Sequence, residues 1–410
     1  MSALLESLAQ GFDGDAARRA MLDAVLREGL PKPRSEAWKY TALRALERRT
    51  FAPAQGAPIE PGLLATMDGP RIVFVNGMFD AQASKLDALP AGVCLQAGVV
   101  DGEAPAAHAD LVFAGLNAAL SRTGVMLQVA AGARIDAPLH LVFVGAPTGA
   151  DQAWHLRHAL EVGQHAEVCV VEHHLAAGAH AHLGTVSMSV DLARGAQLAH
   201  LRVQDESAGA TLFVRTDAKL AEDARYRRLD LELGGAMTRH EFGCRLLGTN
   251  AVVQADGALL GAGRRHVDTR LDIDHVAGDT RCDLTWRGLA ADRSRVVLHG
   301  GIRIRAGADG SAASLSSKNL LLSDQAEIDA QPVLEIHADE VQAAHGAAVG
   351  GLDPTALFYL RSRGLPADEG RKLLTRAFVR DVLSGVDARL RPIAEGALDR
   401  ALATALERTA

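Results

Sequence analysis

The chain has few aromatic residues: Phe, Trp and Tyr supply 4% of its 410 positions, while 48% are hydrophobic. It also has only four cysteines, Cys94, Cys169, Cys244 and Cys282, widely spaced and with no CxxC pair. That spacing excludes a disulfide framework and a zinc ribbon. Positive charge is not in excess; the formal net charge of -7 argues against the basic face of a nucleic-acid binder. No apolar run approaches the ~20 residues that a membrane-spanning helix needs. The opening "MSALLESLAQGFDGDAARRA" carries acids early and no apolar h-region, so neither a signal peptide nor a membrane association is expected, and the cytoplasm is the expected location. Walker, GxSxG and HExxH motifs are missing as well. Nothing has the layout of a self-contained enzyme.

Length alone suggests two or three domains, unless the fold is an elongated repeat whose core grows along an axis. Up to about residue 50 the periodicity is helical: Leu4, Leu5 and Leu8 share one face, as do Met21, Leu22, Val25 and Leu26. A Pro/Gly-rich connector follows, then "RIVFVNG" (Arg71–Gly77), a strand closed by an Asn-Gly turn. A mixed, partly helical N-terminal domain over residues 1–122 is expected. From Val125 to about Gly350 short runs alternate with period two, and one phrase recurs, a turn residue followed by alanine and a strand. Its alanines, Ala133, Ala166, Ala196, Ala224 and Ala251, stand 33, 30, 28 and 27 residues apart. A sandwich also has short alternating strands, but the steady return of the phrase favours a β-solenoid over residues 123–350, and with it a mainly β fold.

The C-terminal residues 351–410 read as about three helices. Asp353 caps the first with Pro354 at its first position, Gly364 stops it, and Pro366 opens the second. Leu373, Leu374, Ala377, Phe378 and Val382 form the second helix's stripe, and Leu390, Ile393, Ala397, Ala401 and Leu402 that of the last.

Four stretches carry candidate chemistry. In "LEIHADEVQAAHGAAVGG", a strand from Leu334 to Val341 would turn Leu334, Ile336 and Ala338 one way and Glu335, His337 and Asp339 the other. No regular geometry then joins Glu340 to His345, so His337, Asp339, Glu340 and His345 do not read as one metal site. His345 alone is set among Ala and Gly, with room for a second chain or a ligand; packing at the junction of solenoid and helices is the other reading. In "RRHVDTRLDIDH", His266, Asp268, Arg270, Asp272 and Asp274 form one row, read as the wet outside of a sheet. His275 falls on the apolar row as a hydrogen-bonded core histidine. In "VEHHLAAGAHAHLG", His173, His174, His180 and His182 would suit a divalent metal or, more simply, a surface loop. In "LFYLRSRG", Phe358 and Tyr359 are consecutive and cannot face the same way on a helix, so one is expected to be buried and the other partly exposed. Beside Arg361 and Arg363 they have the composition of a protein–protein hot spot, or equally of a small helical core.

Read together, these C-terminal phrases resemble the SufB/SufD family of iron–sulfur cluster assembly proteins. The family's NLLLS, AEIDxxPxLEI, DxVxCxHG and FYLRSRG phrases correspond to Asn319–Ser323, Ala326–Ile336, Asp339–Gly346 and Phe358–Gly364. "SEAWKYTAL" (Ser35–Leu43) and "VFVNGMFD" (Val73–Asp80) are similar to two further signatures, so the likeness spans most of the chain. Length, the Trp-Lys-Tyr phrase and scarce cysteine are closer to the SufD branch than to SufB. The resemblance implies a right-handed parallel β-helix flanked by N-terminal and C-terminal helical domains. It implies a non-catalytic subunit that forms a heterodimer with a SufB-like subunit through the β-helix, or a homodimer when alone. A SufC-like ABC ATPase is expected on the C-terminal helices, at Phe358, Tyr359, Leu360, Arg361 and Arg363. No cofactor is expected to stay bound to this chain. A nascent iron–sulfur cluster is expected transiently at the SufB–SufD interface, where the family histidine is His345, the one metal-ligand candidate. Flavin is associated with the assembled complex, though no residue here specifies it. The family cysteine two positions earlier is Ala343, so ligation falls to His345 or to the partner. A second hypothesis stays open beside this one, a β-solenoid polysaccharide lyase or hydrolase using the outer carboxylates.

Overall fold

Corners, repeated at nearly constant spacing, organise this chain. In the computed structural model, which describes residues 2–32, 34–67, 69–98, 100 and 108–407, the recurring turn phrase sits at one edge of every turn of a solenoid. His165, Gly195, Asp223 and Asn250 each take the left-handed backbone conformation, with φ of 55°, 66°, 59° and 61°. Asp, Asn and Gly tolerate this region best. The alanine that follows each one, Ala166, Ala196, Ala224 or Ala251, is fully buried inside the corner. Backbone hydrogen bonds run from corner to corner: His165 N–H to Arg194 O, Gly195 N–H to Glu222 O and Asp223 N–H to Thr249 O, at 2.9–3.0 Å. The series continues at Asp279 and Gly310, where buried Thr280 and Ser311 replace the alanine. Those two turns escape a search for the alanine phrase.

Between corners the chain alternates between two parallel sheets. Gln152–Val162, Leu183–Leu192, Thr211–Leu220, Met237–Leu246, His266–His275, Arg295–Ile304 and Glu327–Ile336 stack in the first. Glu167–Ala176, Gln197–Asp205, Arg225–Glu232, Val252–Gly261, Arg281–Ala290, Ala312–Leu321 and Gln342–Gly350 stack in the second. The result is a mainly β chain with a solenoid of about eight turns and helices at both ends. Parallel, in-register stacking places each residue above its counterpart one turn earlier, so one inward row forms a continuous column. The main core is such a set of columns, for example Val168, Leu198, Tyr226, Val253, Cys282 and Ala313. Trp286 has room in its column because the residue before it is Gly257, where any Cβ would lie 2.3 Å from the indole ring. Its indole N–H donates to Ala255 O at 3.0 Å.

Strands of the chain's N-terminal part also join the stack. Arg71–Val75 pairs in parallel with Leu139–Gly145 and folds back on Met78–Phe79 through Asn76 and Gly77, both at positive φ, as its Asn-Gly turn requires. Helices α1 (Ala3–Gln10), α2 (Ala16–Glu28) and α3 (Val112–Leu120) bury Leu4, Leu5, Leu8, Leu22 and Val25 against the outside of the first sheet, where Phe113 stacks on Phe213 at 3.6 Å. Helices α4 (Pro354–Ser362), α5 (Ala367–Arg380) and α6 (Arg391–Glu407) follow the last strand, and Val379, Val382, Leu390, Leu398 and Leu402 cover the outside of the second sheet. The stripe on α5 is displaced from the sequence reading: Gly370, Thr375 and Val379 are buried, whereas Leu373 and Ala377 are exposed. The helix rotates because Gly370 must face α4, where Leu357 Cδ1 would come within 2.9 Å of any Cβ.

Trp286→Ala would leave a large void between turns, and truncations of this kind cost about 3–5 kcal/mol. Urea unfolding of this variant is expected to show a lower midpoint by that amount of stability; an unchanged midpoint would mean that the column is not tightly packed.

Candidate functional site

Leu334 to Val341, read from the sequence as one strand, is the end of a strand followed by a solenoid corner, and His345 lies on the strand after it. Glu327–Ile336 ends the first sheet, His337 to Val341 turn the corner, and Gln342–Gly350 ends the second. His337, Asp339 and Glu340 lie on the exposed corner, where Glu340 O accepts from Gly310 N–H at 2.7 Å and Asp339 N–H donates to Asp309 Oδ1 at 3.3 Å. His345 belongs elsewhere. Its register partner is Leu315, a buried residue of the main core, so His345 takes the same inward row. Ala343, Ala347 and Val349 continue that row above Ala313, Ser317 and Asn319. No further turn follows, and the row that is core everywhere else is exposed here: Ile336 and Val349 stand among the exposed large hydrophobics and His345 is open to solvent.

The two terminal strands differ at their free edges. Glu327–Ile336 carries Pro332, which has no N–H to offer a neighbouring strand, and the charged Glu327, Asp329 and Glu335. Natural sheets blunt an edge in this way. Gln342–Gly350 reads QAAHGAAVG, without proline and with no charged residue other than a histidine if protonated. It is an unguarded edge beside an uncovered apolar row. His345 offers one imidazole, and among the described residues no group of three or more His, Cys, Asp or Glu is placed to hold a metal ion.

A second exposed surface lies on α4. Asp353 caps it, its carboxylate accepting from Thr355 N–H at 2.8 Å. No residue of α4 is fully buried. Phe358 is 70% exposed and Tyr359 57% exposed, with the Arg363 guanidinium 5.2 Å from the centre of the Tyr359 ring. The expectation that one aromatic would be buried is therefore wrong: α4 touches α5 through Leu357 and Leu360 near Gly370, so the aromatic face is left outward. Leu360 is half-buried, and Arg361 and Arg363 are exposed. The helices are pinned to the solenoid by ion pairs, Arg287 to Asp381 at 2.5 Å and Arg389 to Glu167 at 2.8 Å.

Other candidates are structural. The row expected to be the wet outside of the first sheet is partly roofed by the Trp-Lys-Tyr segment. Arg239 lies 3.9 Å from the centre of the Trp38 ring and donates to Ala37 O and to Asp268 Oδ2, at 2.9 and 2.7 Å. Thr41 donates to the same carboxylate and sits 2.9 Å from His266 Nε2. Asp268 is consequently buried, and Asp274 is held by two hydrogen bonds from Arg305, at 2.8 and 2.6 Å. Asp268 and Asp274 are thus engaged by arginine, contrary to the free acids that the lyase or hydrolase hypothesis needs. His275 is buried and bonded to Thr280 Oγ1 at 2.8 Å, as a core histidine. The histidine tract is no surface loop. His173 and His174 lie on a buried strand, facing opposite sides, and His180 and His182 stack at the following corner with Glu206 3.1 Å from His180 Nε2. Runs of valine around His173 and His174 were the available signal for burial.

The fold and the site define a class: a parallel β-solenoid with an open last turn, an unguarded edge and a helix that displays aromatics, suited to protein contacts. The family model for the SUF system FeS cluster assembly, SufBD core domain, matches residues 144–378. The iron–sulfur cluster assembly protein SufD of Escherichia coli (strain K12) is 29% identical over 381 residues, covering 91% of this chain and 89% of the relative. An iron–sulfur cluster assembly SufBD family protein of Synechocystis is 25% identical over 394 residues, covering 90% and 86%. SufD of Bacillus subtilis (strain 168) is 27% identical over 272 residues, covering 66% and 62%. The chain belongs to the SufB/SufD family, with its likeness to the SufD branch, and has a role in iron–sulfur cluster assembly. Among the described residues no helix is long and apolar enough to cross a membrane.

Burial pushes the imidazoles of His140, His158, His174 and His275 down from 6.5 to about 4, and that of His173 to about 3. The unfolded chain, with its histidines near 6.5, therefore binds more protons than the folded one as the pH falls from 6.5 towards 4. Stability must drop through that window. The urea midpoint is expected to be lower at pH 5 than at pH 7.5; equal midpoints would mean that these rings are hydrated when folded.

Proposed function

We propose that this chain is a non-catalytic subunit of a SUF assembly complex, joined to a SufB-like subunit at the open end of its solenoid and to a SufC-like ABC ATPase at α4. The observation that carries the reading is His345, an inward-row residue left uncovered on an unpaired strand. A partner strand laid along Gln342–Gly350 would satisfy that edge by main-chain hydrogen bonds and cover the Ala343, Ala347 and Val349 row. His345 would then lie inside the joint. In this reading the cluster is cargo: His345 supplies one ligand and the partner supplies the others, since Ala343 replaces the family cysteine.

Phe358 and Tyr359, exposed on a well-capped helix with Arg361 and Arg363 beside them, have the composition of an interface hot spot. The helices α5 and α6 also cover the second sheet, so removing the C-terminal module would expose an apolar face; point variants are the cleaner test. Recovery of an ABC-type ATPase and a homologous subunit on affinity purification from native cytosol is expected for the whole chain. Tyr359→Ala should weaken the ATPase contact by about 2 kcal/mol, roughly thirtyfold in Kd, while circular dichroism stays unchanged. Wild-type affinity would remove α4 from the contact. His345→Ala is expected to leave complex assembly intact and to lower the rate of cluster delivery to an apo-acceptor. Delivery at the wild-type rate would return His345 to a packing role.

A further inference from the structure

The interior of the solenoid is not apolar throughout. In Gln197–Asp205 and Arg225–Glu232 the alternation runs inside-out: Leu201, Val203, Leu229 and Leu231 face outward beneath the C-terminal helices. Their neighbours His200, Arg202, Gln204, Arg228, Asp230 and Glu232 consequently face the interior, all at most 2% exposed. Glu172 and His174 stack below them and His240 approaches from the opposite sheet.

Half of this set is closed on itself. Arg228 donates twice to Asp230, at 2.8 Å each, and once to the Tyr226 hydroxyl at 2.9 Å. His200 Nδ1 is bonded to the Tyr226 hydroxyl at 2.8 Å. The other half is only partly so: Arg202 donates to Glu232 Oε1 and Gln204 Oε1 accepts from Gly234 N–H at 3.0 Å, but further polar atoms are left over. Arg202 Nε, Gln204 Nε2, Glu232 Oε2, His174 Nδ1 and His240 Nδ1 are buried without a hydrogen-bond partner among the described residues. His240 Nδ1 stands 3.7 Å from Glu232 Oε1 and 3.9 Å from Asp230 Oδ1, too far for a direct bond. An unpaired buried polar atom costs about 1–3 kcal/mol. Five together would consume much of the roughly 5–15 kcal/mol that keeps a domain folded, so something satisfies them.

The chemistry of the five selects the occupant. Arg202 and Gln204 can only donate from these atoms, and the Glu232 carboxylate accepts. An anion would serve the donors alone and a metal ion the acceptor alone. Water serves both, and buried water with two to four polar partners is the usual solution. Rings bound the polar set along the solenoid axis. Phe143 packs against His174 in a tilted arrangement, ring centres 4.8 Å apart, on one side, and on the other the Trp286 ring fills the space over Gly257, which follows Asp230 in its column.

We infer that the solenoid encloses a polar chamber around Arg202, Gln204 and Glu232 that binds ordered water, bounded on the His345 side by Trp286. Diffraction from crystals of the full chain, at a resolution that shows ordered solvent, tests this. Water peaks within hydrogen-bond distance of Arg202 Nε, Gln204 Nε2 and Glu232 Oε2 are expected, and Gln204→Met should lose the water at that position. The inference is overturned if the three atoms are found on protein partners with no peak between them. It is also overturned if the chamber holds an anion or a metal, or if crystals pressurised with xenon take the gas there, as a dry cavity would.

Discussion

Everything in this structure depends on the vertical hydrogen bonding between identical positions of successive turns. Each strand is satisfied only by the strands one turn before and after it, so a turn cannot be stable alone and the stack must be terminated at both ends. At the N-terminal end the chain provides its own termination in Arg71–Val75 and Val93–Ala97. At the C-terminal end it does not: the last strand of the second sheet carries an unpaired edge and an uncovered inward row. A monomer that leaves such an edge unblunted has a reason to meet another chain there.

The same stacking explains how the chain accommodates charges in its middle. A column brings side chains of successive turns into contact, and Glu172, Arg202 and Asp230 alternate there as acid, base, acid. Burial raises the cost of the Glu172 charge, but the bonds from His174 and His200 outweigh it and hold this carboxyl well below its usual value. Such a cluster is weak evidence for stability, because desolvation cancels much of the attraction. Its cost is bearable because the same columns turn apolar on either side of it along the solenoid axis, at Leu141 and Phe143 and at Leu259, and the C-terminal helices pack on the outside.

Much of the fold was legible because the corner imposes a local backbone demand. Only a few residue types accept a left-handed φ, so Gly, Asp, Asn and once His (His165) return at the corners with a small residue behind them. The hydrophobic faces of α1 and α2, the Asp353 cap and the Asn76-Gly77 turn were legible for the same reason, each being decided by neighbours within a few positions. The site was less so. Phe358 and Tyr359 could be recognised as a pair, but their common exposure follows from how α4 leans on Gly370, a contact between two helices.

The sequence by itself determined the period of the solenoid, the starts of α4 at Asp353-Pro354 and of α5 at Pro366, and the two-residue alternation of many middle strands, because these are local conformational preferences; the last helix, read from about Val386, begins at Arg391. It did not determine which face of an alternating strand is the inside. Period two is symmetric, and "LAHLRVQ" satisfies it equally with leucine in or arginine in. That choice was made by α5 and α6, whose apolar faces claim Leu201, Val203, Leu229 and Leu231 and so turn the charged row inward. Tertiary structure likewise decided the standing of His345. Its position on the inward row comes from register with Leu315, 30 residues earlier, and its exposure from the absence of a turn above it.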